Sequence, residues 1–353
     1  MNVHNIITSC FEAQKNGYNV IPYIEGPPGI GKTVIVKDIC EEFKYDFKEV
    51  ILSRYGALDI QGLHVPDYNS GMLKHFPTTR LLSTSPSHAY TVCFFDEFSN
   101  SQGDVQAAIQ SLFESREIEG HKVPPNMLFV AAGNGEDDGC NARPLPNSIL
   151  DRIVLIKHSV NKEFVKSWKE WANKNHHLVN PFVIAYIEFS ADSLYTFNPN
   201  NSDSKKFASP RGWVKLSGYL NTIGSDNPLV KDVACGILGD IEGAKFNSFL
   251  TLCNDIPKYS DITNNPDSAV VPKNLNSRFA VIAMIESNLR NESPLTLTQK
   301  ACENIIGYIK KFPNEISQWA IKRFQKASEI FIASNASTKE EIDLLNIWNK
   351  IKD

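Results

Sequence analysis

The chain has 353 residues, and its 42% hydrophobic and 22% charged residues are the proportions of a folded globular protein. Its 36 basic and 40 acidic side chains give a net charge of −4, which argues against a chain-wide cationic surface for duplex DNA. No apolar run is long enough to span a membrane, and residues 1–25 show no secretory signal. Seven cysteines without a C-x-x-C pair favour reduced thiols, so we expect a cytoplasmic protein.

Helices and strands are predicted to alternate over residues 1–158. Apolar spacing predicts helices over residues 4–16, 33–43 and 105–113, and strands over 20–24, 48–53, 90–95, 127–132 and 153–156. The run YTVCFF at 90–95 is too apolar for a half-exposed strand and suits a parallel sheet that is covered on both faces. This order predicts an α/β fold with a doubly wound parallel sheet.

The second half of the chain has a different pattern. After His158 apolar residues recur mostly at helical spacing, as in EFVKSWKEWA and NPFVIAYIEF. A polar break at 254–267 divides this half. We therefore expect a helical domain over residues 159–255 and a further helical extension over 256–353.

A phosphate-binding motif lies between the first predicted strand and the following helix. Residues 26–33, GPPGIGKT, fit the P-loop pattern G-x-x-x-x-G-K-[ST]. Glycines let successive backbone N–H groups turn toward a phosphate, and the helix that follows directs its positive end at the anion. The alternative is a glycine-rich surface turn, but the strand-to-helix context favours a nucleotide site. The candidate nucleotide-binding residues are Gly26, Pro27, Pro28, Gly29, Ile30, Gly31, Lys32, Thr33 and Val34.

Two carboxylates follow the apolar strand that ends at Phe95. Asp96 and Glu97 would lie at the carboxyl end of that strand, where ligands of open α/β sheets bind. We expect Thr33 and Asp96 to hold Mg²⁺, and Glu97 to orient and deprotonate the attacking water. Taken alone, an Asp-Glu pair after a strand is usually a solvated loop.

These segments together resemble the AAA+ ATPases, and within them the MoxR-like group of the dynein-related AAA subfamily. The resemblance is carried by EGPPGIGKT at 25–33, RYGALDIQG at 54–62, FFDEFSNSQGDVQAAIQSLFESREIEG at 94–120, FVAAGN at 129–134, PLPNSILDRI at 144–153 and ASPR at 208–211. It implies a P-loop AAA+ sheet domain followed by an all-helical lid. Residues 63–76 occupy the position of the family's helix 2 insert, which in the family lies at the pore face of a ring.

The resemblance also implies roles for four further polar residues. Asn134 would position the lytic water, although an ordinary Asn-Gly turn is the local alternative. Arg152 would reach the γ-phosphate of a neighbouring subunit; a surface salt bridge with Asp151 is its alternative, and Arg143 is a second candidate for this arginine finger. Arg211 would close the lid, with Pro210 at a helix start. The sequence departs from the group at Ser99-Asn100, where Asn-Arg is common.

The function implied by the resemblance is Mg²⁺-dependent ATP hydrolysis by a ring, expected to be a hexamer, that remodels a client protein. A von Willebrand A-type protein is one possible client, and no membrane partner is expected. Two alternatives stay open: a nucleic-acid-associated motor of McrB-like type, and an ATP-gated scaffold with little turnover. The absence of a basic stripe means that nucleic acid would be engaged only indirectly.

Overall fold

A computed structural model describes residues 3–78, 81, 83–138, 143–175, 177–198, 206–254, 256–291 and 299–335. The chain divides into two compact units, Met1–Val160 and Asn161–Asp353. The first unit alternates strands and helices, and the described residues of the second contain helices and turns without strands.

A parallel sheet of five strands forms the centre of the first unit, in the order β2-β5-β8-β1-β9. Its strands are β1 Ile21–Glu25, β2 Asp46–Ile51, β5 Thr91–Asp96, β8 Met127–Gly133 and β9 Ile153–Lys157. The helices of this unit are α1 Val3–Lys15, α2 Lys32–Phe43, α3 Ala57–Gln61, α4 Gly103–Ser115 and α5 Asn147–Leu150. The predicted α/β doubly wound fold is confirmed.

Both faces of the sheet are buried. On β5, Cys93 and Phe95 join the core on one face with residues of α4, while Val92 and Phe94 join the core on the other face with residues of α1 and α2. Successive side chains of a strand point to opposite faces, so a strand covered on both sides must be apolar throughout. This is why the run at 90–95 lacks alternation.

Two antiparallel hairpins project from this unit. The first joins β3 Leu63–Asp67 to β4 Met72–Phe76, and the second joins β6 Glu117–Ile118 to β7 His121–Lys122. The first hairpin is formed by the segment that the sequence places at the helix 2 insert. The second follows α4, as expected from the resemblance.

Helices make up the second unit. They are α6 Lys162–Lys174, α7 Pro181–Phe189, α8 Pro210–Ile223, α9 Val230–Leu238, α10 Asp240–Asn254, α11 Tyr259–Asn264, α12 Leu275–Asn291, α13 Gln299–Ile309 and α14 Asn314–Asn335. One apolar core of this unit is shared by α11 to α14. The proposed division at residue 255 stays a prediction. In the described part of the chain, no helix is both long and apolar enough to cross a membrane.

Each element predicted from apolar spacing in the first unit has an observed counterpart, whereas α3, α5 and the strands β3 and β4 were not predicted. The bounds of the edge strand β2 differ by two residues at each end. The sequence predicts it at 48–53, whereas it begins at Asp46, and Leu52–Arg54 form a 3-10 turn. The strand begins where its pairing with β5 begins, at Asp46 opposite Thr91. Because β2 is only partly buried over its first residues, its hydrophobic pattern does not mark that start.

Candidate nucleotide-binding site

The phosphate loop connects β1 to α2. Gly26 to Gly31 form the loop, and Lys32, Thr33 and Val34 are the first three residues of α2. Gly29 and Gly31 have φ of +79° and +95°, a left-handed conformation that side chains with a Cβ avoid. The conformation turns the chain sharply into a helix of 12 residues, whose N-terminal N–H groups favour an anion.

Gly26 is required for a different reason, which is close packing. A Cβ at this position would collide with the carbonyl oxygen of His158, the residue that follows β9. His158 in turn donates its backbone N–H to the Glu25 carbonyl over 2.7 Å. The start of the loop is therefore fixed against the edge strand of the sheet, and only glycine fits there.

Lys32 and Thr33 reach across the end of the sheet. The Lys32 ammonium donates to the carbonyl oxygens of Gly26 at 2.5 Å and Pro27 at 3.2 Å, and to Asn134 Oδ1 at 2.8 Å. The Thr33 hydroxyl donates to Asp96 Oδ2 at 3.2 Å. The structure thus brings together the predicted lysine, the two predicted metal ligands and the predicted amide at one edge of the sheet.

The two carboxylates at the end of β5 have separate environments. Asp96 Oδ1 accepts the Glu97 backbone N–H at 2.8 Å, while its Oδ2 accepts the Thr33 hydroxyl. Glu97 has φ of +56°, a strained conformation for a residue with a side chain. Its carboxylate accepts a hydrogen bond from the Ser53 hydroxyl. Sequence reasoning missed Ser53, because the contact requires β2 to lie beside β5.

Asn134 follows β8, which pairs with both β1 and β5. Its side chain contacts Lys32, and its backbone N–H donates to Ser99 Oγ at 3.0 Å. The side chain therefore faces the phosphate loop, which a simple Asn-Gly turn would not require.

The donor set fits a small hard cation. The Thr33 hydroxyl and the Asp96 carboxylate supply oxygen ligands beside a phosphate loop, and Mg²⁺ is usually bound by one or two carboxylates together with phosphate oxygens and water. When bound, the ion would neutralise charge on the phosphates.

The three predicted arginines have exposed or partly exposed side chains. Arg152 pairs with Glu114 of α4 at 3.1 Å and donates to the Ser148 carbonyl, so its ion-pair partner is Glu114 and not Asp151. Arg143 has an exposed side chain, and its backbone N–H donates to the Ser99 carbonyl at 3.0 Å. Arg211 is exposed and lies in the first turn of α8, in the other unit. As predicted, Pro210 begins that helix.

Residues 22–154 match the model of the ATPase family associated with various cellular activities (AAA). The matched segment covers most of the first unit and less than half of the whole chain. It contains every predicted site residue except Arg211. No curated protein matches the sequence.

Two solved structures resemble the chain at low identity. A RuvB point mutant from Thermotoga maritima is 17% identical, with 82% of this chain and 84% of that chain covered and a TM-score of 0.40. A protein from Cytophaga hutchinsonii, provisionally described as an ATPase, is 12% identical, with coverage of 96% and 78% and a TM-score of 0.32. Neither similarity bears on the activity of this chain.

His158 is a residue of the first unit that the sequence analysis assigned no role. Burial, and then the nearby Lys32 ammonium, lower its pKa from 6.5 to about 4. The only sequence signal is its position directly after the last strand, in register with the start of the phosphate loop.

We expect the free energy of unfolding to fall by up to about 3 kcal/mol between pH 6.5 and pH 4 because of His158. In that window the unfolded chain binds a proton that the folded chain does not, so the folded state is favoured at higher pH. When measured by urea unfolding, the free energy of unfolding of His158→Gln should fall less than that of wild type over the same pH range. His177→Gln, at an exposed histidine of the other unit, is the control. Identical pH profiles for His158→Gln and wild type would contradict the assignment.

Proposed function

We propose that this chain hydrolyses ATP with Mg²⁺ as a ring-forming motor of MoxR-like type that remodels a partner protein. The observation that supports this most directly is the convergence of Lys32, Thr33, Asp96, Glu97 and Asn134 at one edge of the sheet. A phosphate loop, a metal-binding pair and a carboxylate base are the parts that phosphoryl transfer to water requires.

Each residue has a role in the proposed reaction. Lys32 exchanges the carbonyls it now contacts for the β- and γ-phosphate oxygens, and Thr33 and Asp96 hold Mg²⁺. Asn134 orients a water, and Glu97 accepts its proton as the oxygen attacks the γ-phosphorus. The bond from that phosphorus to the bridging oxygen breaks, which releases ADP and phosphate.

The reaction also needs positive charge on the γ-phosphate oxygens, which we assign to an arginine of a neighbouring subunit. Arg152 is the proposed donor. Its ion pair with Glu114 is exposed, and exposed ion pairs contribute only about 0.2–1 kcal/mol to stability. Arg152 can therefore leave Glu114 for a phosphate at little cost in free energy. If each subunit completes the site of the next one, the subunits associate head to tail. Such an assembly forms a ring when it closes on itself. We expect a hexamer, in which Arg211 has the sensor role that the resemblance implies.

A protein client is favoured by the surface of the β3–β4 hairpin. Leu63, Tyr68, Met72 and Phe76 are each more than half exposed. Leu63 lies opposite Phe76 and Met72 opposite Asp67, so Leu63, Met72 and Phe76 share the face away from His75. The Lys74–Asp67 ion pair lies on the same face. Exposed apolar surface of this kind marks contacts with polypeptides rather than with a phosphate backbone.

ATPase rate measured against protein concentration tests the proposal. If each site is shared between subunits, the rate per subunit falls on dilution as the assembly dissociates, and sedimentation should show the same transition. A rate per subunit that stays constant into the low-nanomolar range, with monomers in solution, would contradict a shared site.

The same assay separates the alternative functions. Stimulation by DNA or RNA that is lost steeply with salt would favour a nucleic-acid motor. Assembly with ATP but without turnover would favour a scaffold.

A further inference from the structure

Ser99 links three parts of the first unit, although no role was predicted for it from the sequence. It lies in the 3-10 turn Phe98–Asn100, two residues after Glu97, and only 1% of its surface is exposed. Its Oγ accepts the Asn134 backbone N–H at 3.0 Å, and its carbonyl oxygen accepts the Arg143 backbone N–H at 3.0 Å. Ser99 therefore holds the backbone of Asn134 after β8 and the backbone of Arg143. Arg143 begins the segment 143–152, which contains both candidate finger arginines.

Ser99 Oγ is closely packed against Gly133 and Tyr23. A Cβ at Gly133 would lie 2.8 Å from Ser99 Oγ and would collide with the Tyr23 hydroxyl, so both oxygens occupy the space beside that glycine. Tyr23 is fully buried on β1, and its hydroxyl lies beside that of Ser99. Burial raises the pKa of Tyr23, and the neighbouring Ser99 hydroxyl opposes that rise.

We infer that Ser99 is a positioning residue, with Tyr23 supporting it, that fixes Asn134 relative to Glu97. In the proposed reaction Asn134 and Glu97 must both face one water, and they follow different strands, β8 and β5. The Ser99 hydroxyl is the direct link between the turn after β5 and the end of β8. The Ser99 carbonyl also accepts the Arg143 backbone N–H. Movement of the 3-10 turn would therefore shift Asn134 and the start of the segment 143–152 together.

The inference is tested by two measurements on Ser99→Ala. The kcat for ATP hydrolysis rests on the proposed function, whereas hydrogen exchange at the Asn134 backbone amide does not. In Ser99→Ala the kcat for ATP hydrolysis should fall about tenfold, with the Kd for a fluorescent ATP analogue unchanged within about twofold. Hydrogen exchange of the Asn134 amide should become faster, since its acceptor is lost. Should Ser99→Ala fail to fold, Tyr23→Phe replaces it and should show a smaller change of the same kind.

Ser101→Ala is the matched control. Ser101 is equally buried in the same loop, but its hydroxyl donates to the Phe98 carbonyl at 2.7 Å, whereas the Asn134 backbone N–H donates to Ser99. Unchanged exchange and rate in Ser99→Ala, or equal losses in Ser101→Ala, would overturn the inference. If wild type hydrolyses no ATP under any condition, the proposed function fails, and the exchange data alone decide the role of Ser99.

Discussion

Arg152→Ala is expected to lower kcat for ATP hydrolysis by about 10³- to 10⁵-fold, the contribution of an arginine that stabilises charge on a transferring phosphoryl group. Binding of ATP should change far less, since the phosphate loop, Thr33 and Asp96 are untouched. Within its own subunit Arg152 forms an exposed ion pair with Glu114. If that pair were its whole role, Glu114→Ala and Arg152→Ala would have the same small effect.

Mixing two inactive variants tests whether the arginine acts in trans. Arg152→Ala keeps the phosphate loop, and Lys32→Ala keeps the arginine. In a one-to-one mixture about a quarter of the interfaces would join an intact loop to an intact arginine, so activity should reappear. Glu114→Ala should stay within a few-fold of wild type. A full loss in Arg143→Ala, with Arg152→Ala near wild type, would assign the finger to Arg143. Near-normal rates of ATP hydrolysis in both Arg143→Ala and Arg152→Ala would contradict an arginine finger from residues 143–152.

Glu97→Gln is expected to lower kcat by about 10²- to 10⁴-fold, because the amide cannot accept a proton from water. The side chains are nearly isosteric, so ATP binding should persist and the assembly should accumulate in its ATP-bound form. Single-turnover hydrolysis, together with sedimentation in ATP, measures both effects.

Glu49→Gln is the matched control for Glu97→Gln. Glu49 is an exposed acid on β2 of the same unit, so its loss changes the net charge equally but leaves the site intact. A Glu97→Gln rate close to wild type would favour the scaffold alternative or a different base, and would contradict the role of Glu97.

Local patterns of residues identified the strands, the helices and the candidate site. The phosphate loop is a contiguous segment, and its glycines, lysine and threonine lie between an apolar strand and a helical repeat, so their role can be read without the fold. The same holds for Asp96 and Glu97 after β5, because a fully apolar strand predicts where a buried sheet ends.

Contacts between distant segments could not be predicted in this way. The Lys32–Asn134 contact joins residues 102 apart, and Ser53 and Glu97 are 44 apart. Both depend on the order β2-β5-β8-β1-β9, which places β5 beside β2 and β8 beside β5 and β1. The pairing of Arg152 with Glu114, rather than with its sequence neighbour Asp151, likewise depends on where α4 packs.

The sequence by itself predicted which segments form the sheet and the candidate site, because strand periodicity and glycine-rich turns are encoded within a few neighbouring residues. Only the tertiary structure decided how those segments meet. Ser99, Tyr23 and His158 carry no distinctive motif, and they acquire a role only because parallel strands bring their carboxyl ends to one edge of the sheet.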